Sequence, residues 1–95
     1  MTALETAVAK EIVRVGKEHL AFEDEGGMLA AAARGEALAA ALDSLQLLTL
    51  VVAVEDRFRI ALSEEDAAGT RTLPALARLV AARADPALLP QVEAA

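Results

Sequence analysis

The chain has 95 residues and a formal charge of −6, so one small acidic domain is expected. Hydrophobic residues make up 56% of it but aromatics only 2%, so Leu, Val, Ile and Ala must fill the core, which suits close-packed helices. Acidity with few aromatics argues against nucleic acid as a partner. The absence of cysteine, with a single histidine, excludes disulfides and thiol nucleophiles and makes a zinc site improbable.

The first helix is predicted to start near Thr2, where Thr2 and Glu5 have the spacing of a capping box. Leu4, Val8, Ile12 and Val15 recur at helical spacing and define one buried stripe, with Glu11, Arg14, Lys17 and Glu18 mostly off it. Gly16 is a point where this helix could end or loosen, and Gly26–Gly27 punctuates the chain. The opening "MTALETAVAKEIVR" carries acid and lacks the basic start and apolar centre of a secretion signal. A cytoplasmic, soluble domain with no membrane span is expected, because the longest charge-free run in the second half, Ser44 to Val54, is far too short to cross a bilayer.

A long connection follows, from about Phe22 to Leu42, opening with the acidic cluster Glu23–Asp24–Glu25. Its middle, "MLAAAARGEALAAAL", is rich in helix formers, so a short helix is expected inside it. His19 is expected at the surface or in a loop, with no catalytic role.

The second long helix is predicted from Asp43 to about Arg57, with Asp43 as N-cap and Gln46 in the box position. Leu47, Val51, Val54 and Phe58 make one apolar stripe, with Leu50 beside it; Leu45, Leu48 and Val52 make a second on another side. A helix apolar on two sides is either deeply buried or keeps one face for something else.

After a short extended exit, Ser63 and Asp66 mark a capping box for a brief helix ending near Gly69. Thr70 or Thr72 caps the last helix, with Pro74 in its first turn. Leu73, Leu76 and Val80 form that helix's core face, Leu79 flanks it, and Pro86 stops it. The fold class is therefore all-α: a small antiparallel four-helix bundle, three main helices and one short, with a long first loop. Residues 1–84 form the domain and 85–95 a loosely ordered tail.

"ALDSLQLL", residues 40–47, is the stretch most suggestive of chemistry. Ser44 falls in the first turn of a predicted helix, where free N–H groups and the positive end of the dipole favour a phosphate ester. A carboxylate next door, Asp43, can help hold the divalent cation that a phosphoryl donor normally needs. A plain helix cap is the competing reading of the pair. No other spacing of carboxylates points to acid–base work, and the glycine pair has no phosphate-loop pattern around it. No metal ligands and no catalytic residues are assigned.

Asp43-Ser44-Leu45 resembles the attachment motif of the acyl carrier proteins and their peptidyl and aminoacyl relatives. The likeness continues without a gap through "LLTLVVAVEDRFRIALSEEDAAGTRTLPALARLV": an apolar helix, the acidic pair Glu55–Asp56, Phe58-x-Ile60, an acidic short helix, and the "T-x-T-L" lead into the last one. It is firm from about Leu42 to Val80. It implies that Ser44 carries 4′-phosphopantetheine, placed there from coenzyme A by a phosphopantetheinyl transferase. The arm's thiol would then hold cargo as a thioester. A carrier of this kind is not itself an enzyme. The resemblance also implies that Leu45, Leu48 and Val52 face partner enzymes or line a pocket beside the arm, and that Glu55 and Asp56 meet basic patches on enzymes that load, elongate or transfer acyl groups.

Some positions depart from the family pattern. Ala41 and Leu42 stand where Gly is frequent before the Asp–Ser pair; Gln46 and Thr49 replace acids; Arg57 interrupts the acidic run; Arg59 occupies a common Gly position. These departures point to an acyl carrier in a specialised lipid, polyketide or other secondary-metabolite pathway rather than general fatty acid synthesis. From its length the chain is expected to be a stand-alone carrier, and a monomer is expected. An aminoacyl or peptidyl carrier of a nonribosomal-type pathway is the alternative within the family. An unmodified helical adaptor is the alternative outside it.

Overall fold

The structure, a computed structural model, describes residues 2–20 and 34–91. The acidic cluster Glu23–Asp24–Glu25, the Gly26–Gly27 pair and the first part of the alanine-rich connection lie outside the described residues. In chain order the helices are α1 (Ala3–Leu20), α2 (Leu38–Ala41), α3 (Ser44–Phe58), α4 (Glu64–Gly69) and α5 (Leu73–Arg83), followed by a 3₁₀ turn at Pro86–Leu88. The described residues form the small helical bundle expected.

Local capping sets where each helix begins. The Thr2 N–H donates to Glu5 Oε1 at 2.9 Å and the Glu5 N–H to Thr2 Oγ1 at 3.1 Å, closing the first box. Ser63 and Asp66 close another ahead of α4. Of the two candidate caps for α5 it is Thr72 that serves, accepting from the Ala75 N–H, whereas the Thr70 hydroxyl donates back to the Asp66 carbonyl.

Gly16 does not interrupt α1, which runs on to Leu20. Glycine costs about 1 kcal/mol in a helix interior. Here Val8, Ile12 and Val15 bury a stripe that leads up to Gly16, which is itself buried, and such packing outweighs the local cost. The expected helix within the alanine-rich connection is present as the single turn α2. An isolated antiparallel bridge between Ala37 and Thr72 anchors it, the Leu38 N–H donating to the Arg71 carbonyl at 2.8 Å.

α1 packs against both α3 and α5. Val8 and Ile12 of α1 meet Leu50, Val54 and Phe58 of α3, Leu73, Leu76, Ala77 and Val80 of α5, and Leu38 and Leu42 around α2. Phe58 is fully buried, and removing such a ring costs about 3–5 kcal/mol. On α3 the deepest line is Leu50, Val54 and Phe58, while Leu47 and Val51 lie half-buried at its edge. Val54 and Phe58 of the expected stripe are thus fully buried and the flanking Leu50 joins them in the cluster with Val8 and Ile12.

α3 ends at Arg59, whose backbone is left-handed (φ 56°, ψ 45°). Glycine meets this conformation without strain; an L side chain does not.

Candidate functional site

The start of α3 is built around Asp43. Its Oδ1 accepts from the Gln46 N–H at 2.7 Å, and Gln46 Oε1 accepts from the Asp43 N–H at 3.0 Å. Ser44 is the first residue of the helix proper and is exposed, and its hydroxyl makes no hydrogen bond to the described residues. α3 holds no acid in its first turn, so the positive end of the dipole is offset there only by the capping Asp43.

From Ser44 the helix presents three different environments. Ser44, Leu47 and Val51 share one face at helical spacing. Leu47 and Val51 line a cavity of about 430 Å³ completed by Leu38 of α2, Leu76 of α5, and Leu62 and Ala67 around α4. Alanines 37, 39 and 67 create this space, since their side chains stop short of the opposite wall. Among the described residues Arg71 is the one charged residue that lines it.

The second face is the other apolar stripe. Leu45, Leu48 and Val52 are 73%, 60% and 54% exposed, the large hydrophobic residues most open to solvent among those described. Leu48 and Val52 also line a shallow groove with His19, Thr49 and Asp56. His19 is exposed, at the end of α1.

The third face carries the charges, which differ in their freedom. Asp56 is exposed. Glu55 is half-buried and its Oε2 accepts from the Leu62 N–H at 2.8 Å, so this carboxylate shapes the chain leaving α3. Arg57 turns back into the fold: Nη1 donates to the Leu88 carbonyl at 3.0 Å, Nε lies 3.4 Å from Glu11 Oε1, and the guanidinium stacks 4.8 Å from the Phe58 ring centroid.

The cavity was not foreseen from the sequence. Leu47 and Val51 stood in the expected core stripe, Thr70 was a candidate cap for the last helix, and Leu62, Ala67 and Arg71 carried no assignment. The signal available was the run of alanines facing branched residues, which does not reveal its partners until α4 is folded against α3. The ion pair between Arg83 of α5 and Asp66 of α4 was also missed; the two guanidinium nitrogens donate to the two carboxylate oxygens at 2.5 and 2.6 Å.

Among the described residues no group of three or more histidines or carboxylates could hold a metal ion, and no helix is long and apolar enough to cross a membrane.

A short all-helical bundle with an unpaired serine at a capped helix start and an exposed apolar face beside it has the character of a carrier domain. Residues 38–80 match the family described as phosphopantetheine attachment site, a span that includes Asp43–Ser44. This match supports the acyl carrier protein family, to which the chain is similar over that stretch and whose domain is the site of covalently attached 4′-phosphopantetheine. Such carrier domains are in general non-catalytic, and interact with phosphopantetheinyl transferases and partner enzymes. Compared with curated proteins and with solved structures, the chain shows no significant match.

Proposed function

We propose that Ser44 is the residue that carries 4′-phosphopantetheine, and that the protein is a monomeric, cytoplasmic acyl carrier with a dedicated set of enzymes in a specialised lipid, polyketide or other secondary-metabolite pathway. The observation that carries this reading is the division of roles at the start of α3. Asp43 performs the capping, so Ser44 is left exposed with its hydroxyl uncommitted to the described residues.

The arm, when bound, supplies a terminal thiol on which cargo is held as a thioester. The chain's own residues do the rest. The first-turn N–H groups and the dipole of α3 favour a phosphate at Ser44 Oγ. Asp43 keeps Oδ2 available for a divalent cation while Oδ1 holds the cap. Leu45, Leu48 and Val52 offer apolar anchors to partner enzymes, with Asp56 at their edge as the acidic point of contact. Glu55, engaged with Leu62, contributes less to that face than Asp56 does.

The recognition face is thus more apolar than acidic, and Arg57, paired with Glu11 and Leu88, adds little positive charge to it. Partners that dock here need an apolar groove rather than a dense basic patch, which supports dedicated enzymes. The cavity behind Leu47 and Val51 supports an acyl cargo over an aminoacyl or peptidyl one, since a charged amine gains nothing from an apolar wall.

The cargo assignment is tested by loading the apo protein with acetyl-, octanoyl- and alanyl-phosphopantetheine and recording methyl spectra. Octanoyl cargo is expected to shift Leu47, Val51 and Ala67, with acetyl and alanyl cargo leaving them near their unloaded positions. Equal spectra for all three would contradict the acyl reading.

A further inference from the structure

α4 forms part of the cavity wall through Ala67, and Thr70 at its C-terminal cap also lines it, yet among the described residues α4 is the one wall helix with no buried residue. α2 is anchored by buried Leu38, α3 by Leu50, Val54 and Phe58, and α5 by Leu73, Leu76, Ala77 and Val80. What holds α4 in place is polar. The Arg83 guanidinium grips Asp66 with two parallel hydrogen bonds, in the bidentate arrangement that gives such pairs their directionality. Asp66 also accepts from the Ser63 N–H at 2.9 Å, and its carbonyl accepts from the Thr70 hydroxyl at 2.7 Å. At the head of α4, Glu55 holds the Leu62 N–H. Lifting α4 therefore exposes little apolar surface; the ties to be broken are chiefly hydrogen bonds and one ion pair.

We propose that the Arg83–Asp66 pair is a latch that holds α4 closed over the cavity, and that its release sets how fast an apolar chain enters. The meaning of this for cargo rests on Ser44 being the attachment residue; the latch itself does not. Arg83 is 43% exposed at its side chain, so the pair is open to screening by salt. An ordinary surface ion pair would contribute little and gate nothing. The difference here is that the acid of the pair sits on the one described wall helix without an anchor in the core.

The test uses the full-length apo protein, so it does not depend on loading at Ser44, which intact mass scores separately. Amide hydrogen exchange is followed in wild type, Arg83→Gln and Arg83→Lys, together with the entry rate of octanol, an apolar probe, monitored at the Leu47 and Val51 methyls. Arg83→Gln is expected to speed exchange at residues 64–70 by about tenfold, with octanol entry faster to a similar degree and α1 and α5 unchanged. Arg83→Lys, which keeps the charge but loses the fork, should fall between the two, and high salt should move wild type toward Arg83→Gln. Unchanged exchange in α4 would overturn the latch. So would faster α4 exchange with an unaltered entry rate, or loosening spread evenly over α1 and α5.

Discussion

Asp43 and Gln46 satisfy one another at the start of α3, each side chain accepting from the other's backbone N–H at 2.7 and 3.0 Å. The serine between them is thereby released from capping. A helix start needs one good cap, and a second hydroxyl beside it has no structural duty to perform.

This relationship predicts opposite consequences for neighbouring substitutions. Asp43→Ala removes the cap and should cost about 1 kcal/mol of stability. Ser44→Ala should stay within about 0.5 kcal/mol of wild type. Urea unfolding monitored by helical circular dichroism checks both, and a larger loss for Ser44→Ala than for Asp43→Ala would assign the cap to the wrong residue.

Arg59 closes α3 with φ 56°, a conformation that costs an L-residue about 1–2 kcal/mol relative to the right-handed form. Its side chain forms no ion pair among the described residues. Arg59→Gly should therefore raise stability by about 0.5–1 kcal/mol, the strain relieved exceeding the extra entropy that glycine loses on folding. The same urea titration reads this as a higher midpoint with an unchanged slope.

Arg57 connects three parts of the chain: Glu11 on α1, the Phe58 ring beside it, and the Leu88 carbonyl beyond α5. Arg57→Ala is predicted to destabilise by about 1–2 kcal/mol through the lost charged hydrogen bond and the lost packing of its stem. Amide exchange at residues 85–89 should rise more than in α5. Uniform acceleration across both would show that Arg57 acts only through global stability.

Acid should weaken the fold through two carboxylates. The hydrogen bond from Arg14, reinforced by Arg57 against partial burial, holds Glu11 below its ordinary value of 4.5. Hydrogen bonds from Arg83 and then from the Ser63 backbone hold Asp66 well below its ordinary 3.8. Both values are depressed by folding, so the stability they contribute is fully present above the ordinary carboxylate range. It is lost as pH falls from about 4.5 through the folded values. The double variant Glu11→Gln, Asp66→Asn should show a flatter fall in melting temperature between pH 5 and pH 3 than wild type does. An equally steep fall would place the acid sensitivity elsewhere.

The parts of this structure that sequence made visible are the parts set within one or two helical turns. The boxes at Thr2–Glu5, Asp43–Gln46 and Ser63–Asp66 each span three residues, and each closes as its spacing predicts. The second stripe Leu45, Leu48 and Val52 was likewise visible from periodicity on a single helix, but that it faces outward rather than into the core is decided by how the other helices pack. What stayed hidden depends on chain segments far apart. Arg83 reaches Asp66 across 17 positions and Arg57 reaches Leu88 across 31, and no local pattern selects those partners over others. Glu55 reads as a surface acid until the loop after α3 folds back and brings the Leu62 N–H to it. The cavity is likewise a product of tertiary approach, since alanines on α2 and α4 leave space only where both face α3.

The most direct measurement is the intact mass of the full-length protein after incubation with coenzyme A and a promiscuous phosphopantetheinyl transferase, run beside folded Ser44→Ala. The expected result is a gain of one phosphopantetheine in wild type and none in the variant. A gain that survives in Ser44→Ala would contradict the assignment of the attachment residue. No gain in either, with both helical by circular dichroism, would contradict the carrier function and leave an unmodified adaptor that presents Leu45, Leu48 and Val52.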